Sequence, residues 1–197
     1  MVLKSSLKLI VATLSFTVLI TVTGCGNKNS NPTTPPATSQ KSMTYTTYTS
    51  PRGFSLEYPS TWTLKDTGLS KSDVQIFAPE TNSFSSNIII KAGGIDPKNP
   101  DWSSLDNLKK TLTEGYKKQI KDFNLIGTDI TKIANTPTLK IEFTSGDPTP
   151  QSTLKAHSIQ YWTIIDNAYL LTEIIRPIDN TKLYEEEFNH ILQSIKI

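Results

Sequence analysis

Apolar residues follow three regimes along the chain. From Leu9 to Val22 they run almost unbroken, interrupted only by Thr and Ser and by no charge. From Gly26 to Met43 they nearly vanish: the segment is rich in Asn, Ser, Thr and Pro, and Met43 is its only large apolar residue. From Thr44 onward they recur in short periodic groups separated by Pro, Gly, Asn and Asp. The periodic part, 44–197, is long enough to bury about 68–70% of its unfolded surface and so to hold its own core. The boundaries therefore read as 1–24, a leader; 25–43, a tether; and 44–197, one globular domain.

Within the domain the first elements are short strands. Thr44–Thr49 is rich in Thr and Tyr, and Phe54, Leu56 and Tyr58 alternate with Ser55 and Glu57, the period-2 pattern of a half-buried strand. Trp62-Thr63-Leu64, Val74–Ala78 and Asn87–Ala92 follow, and the run Ile88-Ile89-Ile90 predicts a strand covered on both faces. After the turn-rich loop Gly93–Asp101, the apolar residues Leu105, Leu108, Leu112, Tyr116, Ile120 and Phe123 fall at helical spacing. They predict an amphipathic helix over 103–123, started by Ser103 and Asp106, with Lys109, Lys110, Lys117, Lys118 and Lys121 on its other face. Four strands come next: Asn124–Ala134, a strand in which Leu139, Ile141 and Phe143 alternate with Lys140, Glu142 and Thr144, then Lys155–Ile165 and Tyr169–Arg176 joined at Asp166-Asn167-Ala168 as a hairpin. A last helix, capped by Asp179 or Thr181, buries Tyr184, Phe188, Ile191 and Ile195. Glu185, Glu186 and Glu187 sit near its start, where negative charge is favourable. Hairpin-like spacing and two helices predict an α+β domain with a mainly antiparallel sheet sandwiched between helices.

Composition narrows the function classes. Residues 1–24 carry only Lys4 and Lys8 as charges, so without them the chain is neutral. A neutral chain offers no basic face to nucleic acid. One Cys excludes an internal disulfide framework and a Cys-rich zinc site, and two His leave little for a metal or triad enzyme. No nucleophile elbow, zinc-binding helix, phosphate loop, dinucleotide fingerprint or calcium loop occurs. No cofactor, metal or catalytic residue is expected. His157, in register with Ile159 and Tyr161, reads as a ligand or general base, or as a hydrogen-bonded histidine at the core edge, which its residue type favours. His190 reads as a surface or boundary residue of the last helix. Trp102, beside Asp96 and Asp101 in the longest loop, would anchor a partner if exposed and otherwise packs beneath the loop. The lysine face of the first helix reads as a solvated face, with anionic lipid or wall polymer as its alternative contact.

Two resemblances add to this reading. The basic start, the apolar stretch of 14 residues and the small residues that end it have the layout of a secretory signal peptide, short for a permanent span. Val22-Thr23-Gly24-Cys25 resembles the lipobox of bacterial lipoproteins. That resemblance implies cleavage before Cys25, a diacylglycerol on its sulfur, further acylation such as palmitate, and residence at the extracytoplasmic face of the cell membrane. Two acyl chains give stable anchoring where one is marginal. The tether would reach about 24 Å as a flexible coil. Gly53-Phe54-Ser55-Leu56-Glu57-Tyr58-Pro59-Ser60-Thr61-Trp62 resembles the opening of PsbP-like domains, whose fold Ran-binding transport factors share. It implies an α/β/α sandwich in which Gly53 turns the chain, Phe54 and Tyr58 face the core, Pro59 ends pairing and Trp62 closes one end. It also implies a non-enzymatic binding or accessory role with a protein partner. A small-molecule carrier or sensor with a pocket between sheet and helix is the alternative, and a carboxylate-dependent envelope hydrolase a more distant one.

Overall fold

The structure, a computed structural model, describes residues 43–66, 74–81, 84–146 and 155–197. Cys25, Val22, Thr23 and Gly24, and with them the leader and all but the last residue of the tether, lie outside the described residues.

A two-stranded hairpin opens the domain: β1 (Tyr45–Thr49) pairs antiparallel with β2 (Ser55–Pro59). The turn between them needs Gly53, whose φ of +93° is closed to most side chains. Phe54 and Leu56 are buried and Tyr58 packs against them, while Pro59 stands at the end of the pairing opposite Tyr45. Among the described residues the main sheet has seven strands: β3 (Thr63–Asp66), β4 (Val74–Phe77), β5 (Asn87–Gly94), β6 (Asn124–Ile133), β7 (Thr136–Gly146), β8 (Lys155–Ile165) and β9 (Ala168–Pro177). Their spatial order is β3-β4-β5-β9-β8-β7-β6, antiparallel throughout. The hairpin β8–β9 closes through Asp166 and Asn167, with Asp166 at φ +50°, and β6–β7 closes through Ala134 and Asn135, both at positive φ. Two-residue turns of positive φ match the right-handed twist of paired strands.

Two helices cover opposite faces. Helix α1 (Leu105–Gln119) lays Leu108, Leu112 and Tyr116 on Leu139, Ile141 and Phe143 of β7, Trp162 of β8 and Leu171 of β9. Helix α2 (Glu185–Ser194) lays Phe188 and Ile191 on the other face, against Ile174 of β9, Ile88 and Ile90 of β5, and Val74 and Ile76 of β4. The β1–β2 hairpin joins this second core through Phe54 and Leu56. Trp62 closes it, meeting Tyr184 and Phe188 edge-on at 5.4 and 5.0 Å between ring centroids. β9 packs under both helices, through Ile174 on one face and Leu171 on the other, and Ile88, Ile89 and Ile90 of neighbouring β5 are buried together, as their unbroken run predicts.

Both helices are shorter than their apolar periodicity suggests. Ser103 ends a 3-10 turn, Pro100–Trp102, donating from N and Oγ to Pro100 O. Ser104 is the cap instead, its Oγ accepting from Asn107 N at 3.1 Å. The helix stops at Gln119, and Asp122 takes φ +52°. Lys121 and Phe123 are therefore off the helix, although Phe123 returns to the core against Tyr116 and Phe143. Neither Asp179 nor Thr181 caps α2, which follows Tyr184 at φ +57° with no side-chain cap. Backbone turns from Pro177 through Asn180 and Lys182 hold the intervening segment out of helix.

Candidate functional site

The sheet is wider than one helix can cover, so part of each face is left to polar residues. On the α2 face that part lies over β7 and β8. The pairing aligns Lys140, Tyr161 and Thr172 in one row, Glu142, Ile159 and Ile174 in the next, and Thr144, His157 and Arg176 in the third. All of these side chains project from one face, because paired residues share a face and so do residues two apart along a strand.

Glu142 organises the cluster. Its Oε2 accepts from Lys140 Nζ at 2.8 Å, and its Oε1 lies 2.8 Å from His157 Nε2 on the neighbouring strand. Burial works to raise the Glu142 carboxyl, but the hydrogen bonds and charges of Lys140 and His157 outweigh it and hold the group below its ordinary value. An ionised carboxylate only accepts, so His157 Nε2 is the donor in this contact. The cluster grades inward: the side chains of Lys140 and Glu142 are 31% and 25% exposed, that of His157 only 5%. His157 Nδ1 is buried without a hydrogen-bond partner, and so is Arg176 Nε on the residue directly opposite. Arg176 donates from Nη1 to Thr181 O, and its guanidinium lies over the Phe188 ring at 5.0 Å. Burial lowers the Arg176 guanidinium from its ordinary value, opposed by Glu185, Tyr161 and Glu142. Burial also raises the Tyr161 hydroxyl, opposed by Lys140 and Arg176. The site thus holds two buried nitrogens without a hydrogen-bond partner, on directly opposed residues, next to a carboxylate–ammonium pair. That arrangement suits recognition of a polar group by hydrogen bonding. Among the described residues no group of three or more His, Cys, Asp or Glu is placed to hold a metal ion.

The other residues singled out from the sequence sit elsewhere. His190 is on α2, half-exposed, stacked on Tyr45 at 3.7 Å and 3.1 Å from Glu57 Oε2. Trp102 is partly buried, stacked on Tyr169 at 5.5 Å and tilted against Trp162. Asp96 and Asp101 fasten their loop: Asp96 Oδ1 accepts from Lys98 N, and Asp101 Oδ1 accepts from Thr111 Oγ1 of α1. Lys109 pairs with Asp106 at 2.7 Å. Only His157 of these belongs to the cluster. In the sequence Lys140 and Glu142 were visible only as the polar half of an alternation, Tyr161 as a residue in register with His157, and Arg176 as the end of a strand, without a sign that the four converge.

No protein-family model matches the chain, and no curated protein sequence matches it either. Solved structures do. The solution structure of cyanobacterial PsbP (CyanoP) from Synechocystis shares 15% identity at a TM-score of 0.54, covering 83% of this chain and 98% of that one. PA94 of Pseudomonas aeruginosa, a protein of unknown function, shares 15% at 0.54, covering 76% and 94%. The Ran-binding protein Mog1p of Saccharomyces cerevisiae shares 9% at 0.51, covering 79% and 96%. At such identities the likeness is one of architecture. The domain has the PsbP-like α+β fold, a mainly antiparallel sheet carrying a helix on each face.

Proposed function

We propose that this chain is a lipoprotein anchored at the extracytoplasmic face of the cell membrane, and that its PsbP-like domain is a non-catalytic module binding a protein partner. The observation that carries the reading is the placement of Val22-Thr23-Gly24-Cys25 between an uncharged apolar run and a polar, Pro-containing tether. A lone thiol there is positioned for alkylation by a diacylglycerol, and two acyl chains hold a protein to a bilayer. A core role for Cys25 would need apolar neighbours after it, and the next large apolar residue is Met43. Binding is supported by the fold shared with Mog1p, itself described as Ran-binding, and by the unpartnered His157 Nδ1 and Arg176 Nε beneath Lys140 and Glu142.

Expression of the wild type and of Cys25→Ala in cells fed labelled palmitate tests the anchor. The wild type should carry label and sediment with membranes, and Cys25→Ala should lose both. Equal labelling of the two would refute the anchor. Cross-linking in intact membranes tests the binding half: a defined partner should be recovered with the wild type and lost with Lys140→Glu, whose new charge faces Glu142. Recovery unaffected by that change would remove the cluster as the binding surface.

A further inference from the structure

We propose that the outer edge of β6 pairs antiparallel with β6 of a second copy of this chain, centred on Ile130, joining two seven-stranded sheets into one. β6 ends the sheet, and among the described residues its only strand partner is β7. It is ten residues long, against four for β3 at the opposite end. Leu125, Ile126 and Ile130 are 37%, 53% and 49% exposed along it. An end strand turns N–H and C=O groups away from its sheet, and native edges are usually kept short or heavily charged; here the Ile130 N–H donates to Asp129 Oδ1 at 2.8 Å, a contact that the pairing replaces with a carbonyl of the second copy. This one is long and apolar, with a single acid and a single base, Asp129 and Lys132.

The strand itself fixes the register. A β-bulge between Leu125 and Gly127 breaks the first part. The regular part, Gly127–Ile133, has Ile130 at its centre. A two-fold axis normal to the sheet keeps faces matched, so residues of like parity meet. Centring on Ile130 sets Gly127 opposite Ile133, Thr128 opposite Lys132, Asp129 opposite Thr131, and Ile130 opposite its own copy. Both charges then face threonines. Centring on Asp129 would oppose two carboxylates directly, which is unfavourable. Centring on Thr128 drives the bulge into the pairing, and centring on Thr131 drives in Ala134, where the chain already turns at φ +48°. The Ile130 register alone uses the whole regular segment, and it covers the segment's one exposed isoleucine. The strand carries no net charge, so two copies do not repel. Seven residues against seven make a contact smaller than the roughly 1,200–2,000 Å² of a stable interface, so the dimer is weak and reversible.

Disulfide trapping tests this in the full chain carrying Cys25→Ser, so that an introduced thiol is the only one and the outcome is independent of any lipid on Cys25. Directly opposed residues of antiparallel strands have Cα atoms about 4.5–5.5 Å apart, within the range a disulfide spans. Ile130→Cys should form a covalent dimer under mild oxidation at least about tenfold faster than Thr47→Cys on exposed β1, because only the first is held against its own copy. Thr131→Cys, displaced from its own copy, should fall between them. In sedimentation equilibrium Ile130→Lys, which opposes two ammonium groups on the axis, should weaken self-association at least about tenfold with an unchanged circular dichroism spectrum. Trapping of Ile130→Cys no faster than of Thr47→Cys, or association of Ile130→Lys equal to that of the wild type, would overturn the proposal.

Discussion

Gln160 is the most heavily used side chain of the α1 core, and its replacement by Leu should be far more costly than the loss of one hydrogen bond. Its Oε1 accepts from Tyr116 Oη at 2.6 Å and from Trp162 Nε1 at 3.0 Å, and its Nε2 donates to Glu173 Oε1 at 3.1 Å. Tyr116, Gln160 and Trp162 are all buried. Burial pushes the Tyr116 hydroxyl far above its ordinary value, and burial also raises the Glu173 carboxyl, opposed by Gln160 and Lys91. Leu fills a similar volume but strands two buried donors, at about 1–3 kcal/mol each, so roughly 2–6 kcal/mol from these alone, and it also takes away the donor to Glu173 Oε1. Tyr116→Phe strands nothing, because Oε1 keeps Trp162, and should cost about 0.5–1.5 kcal/mol.

The double variant Tyr116→Phe, Gln160→Leu makes the argument refutable by sign. It strands one donor fewer than Gln160→Leu alone, so adding the second substitution should recover about 1–3 kcal/mol rather than lose more. Urea unfolding at 25 °C, followed by far-ultraviolet circular dichroism with the m-value checked for constancy, measures all three. Additive losses in the double variant, or a Gln160→Leu cost no greater than that of Tyr116→Phe, would show that stranded donors are not what the network guards against.

Two further outcomes follow from local geometry. Gly93 lies opposite Tyr169, and a Cβ there would stand 2.7 Å from Tyr169 Cε1, so Gly93→Ala should cost about 1–3 kcal/mol in urea unfolding and shift tryptophan emission as the ring leaves Trp102 and Trp162. The Glu142 carboxyl is held below its ordinary value, so its contribution is present above about pH 4.3 and lost as pH falls through the folded value. Glu142→Gln should therefore lower the melting temperature at pH 7, with the gap from wild type closing in acid; a gap constant from pH 7 to pH 3 would contradict the assignment.

What the sequence made legible was whatever a single element decides for itself. The alternation of Leu139, Ile141 and Phe143 with Lys140, Glu142 and Thr144 is a property of one strand, and the structure sorts the two sets onto opposite faces. The boundaries of α1 and α2 depended instead on competition between neighbours. Ser103 and Ser104 are chemically equal caps, and the 3-10 turn at Pro100 decides between them by taking the first. Phe123 fits the helical period yet reaches the core by a turn, because the pocket beside Tyr116 and Phe143 is there for either route. At α2, Arg176 draws in the carbonyl of Thr181, so the segment that could have capped the helix is committed to the sheet. The Glu142–His157 contact was hidden for a related reason. It depends on the register that sets Thr144 opposite His157, and a slip of one residue would send His157 to the opposite face.

The position of that cluster follows from the width of the sheet. Seven strands about 4.8 Å apart span roughly 29 Å, whereas a helix with its side chains is about 10–12 Å across. One helix per face covers two or three strands, and the two helices are offset: α1 lies over β7, β8 and β9, and α2 with the β1–β2 hairpin over β9, β5 and β4. β9 and β5 carry apolar residues on both sides: Leu170, Leu171, Ile174 and Ile175 on β9, and Ile88, Ile89 and Ile90 on β5. Among the described residues no helix lies over the α2 face of β7, where Lys140 and Glu142 stand, with Tyr161 and the buried Ile159 beside them on β8. His157 and Arg176 stand at the margin of this strip, where Arg176 meets Thr181 O and the Phe188 ring of α2 while its Nε and His157 Nδ1 stay without a hydrogen-bond partner. Placed there, the polar cluster displaces none of the apolar residues that α2 packs against on β4, β5 and β9.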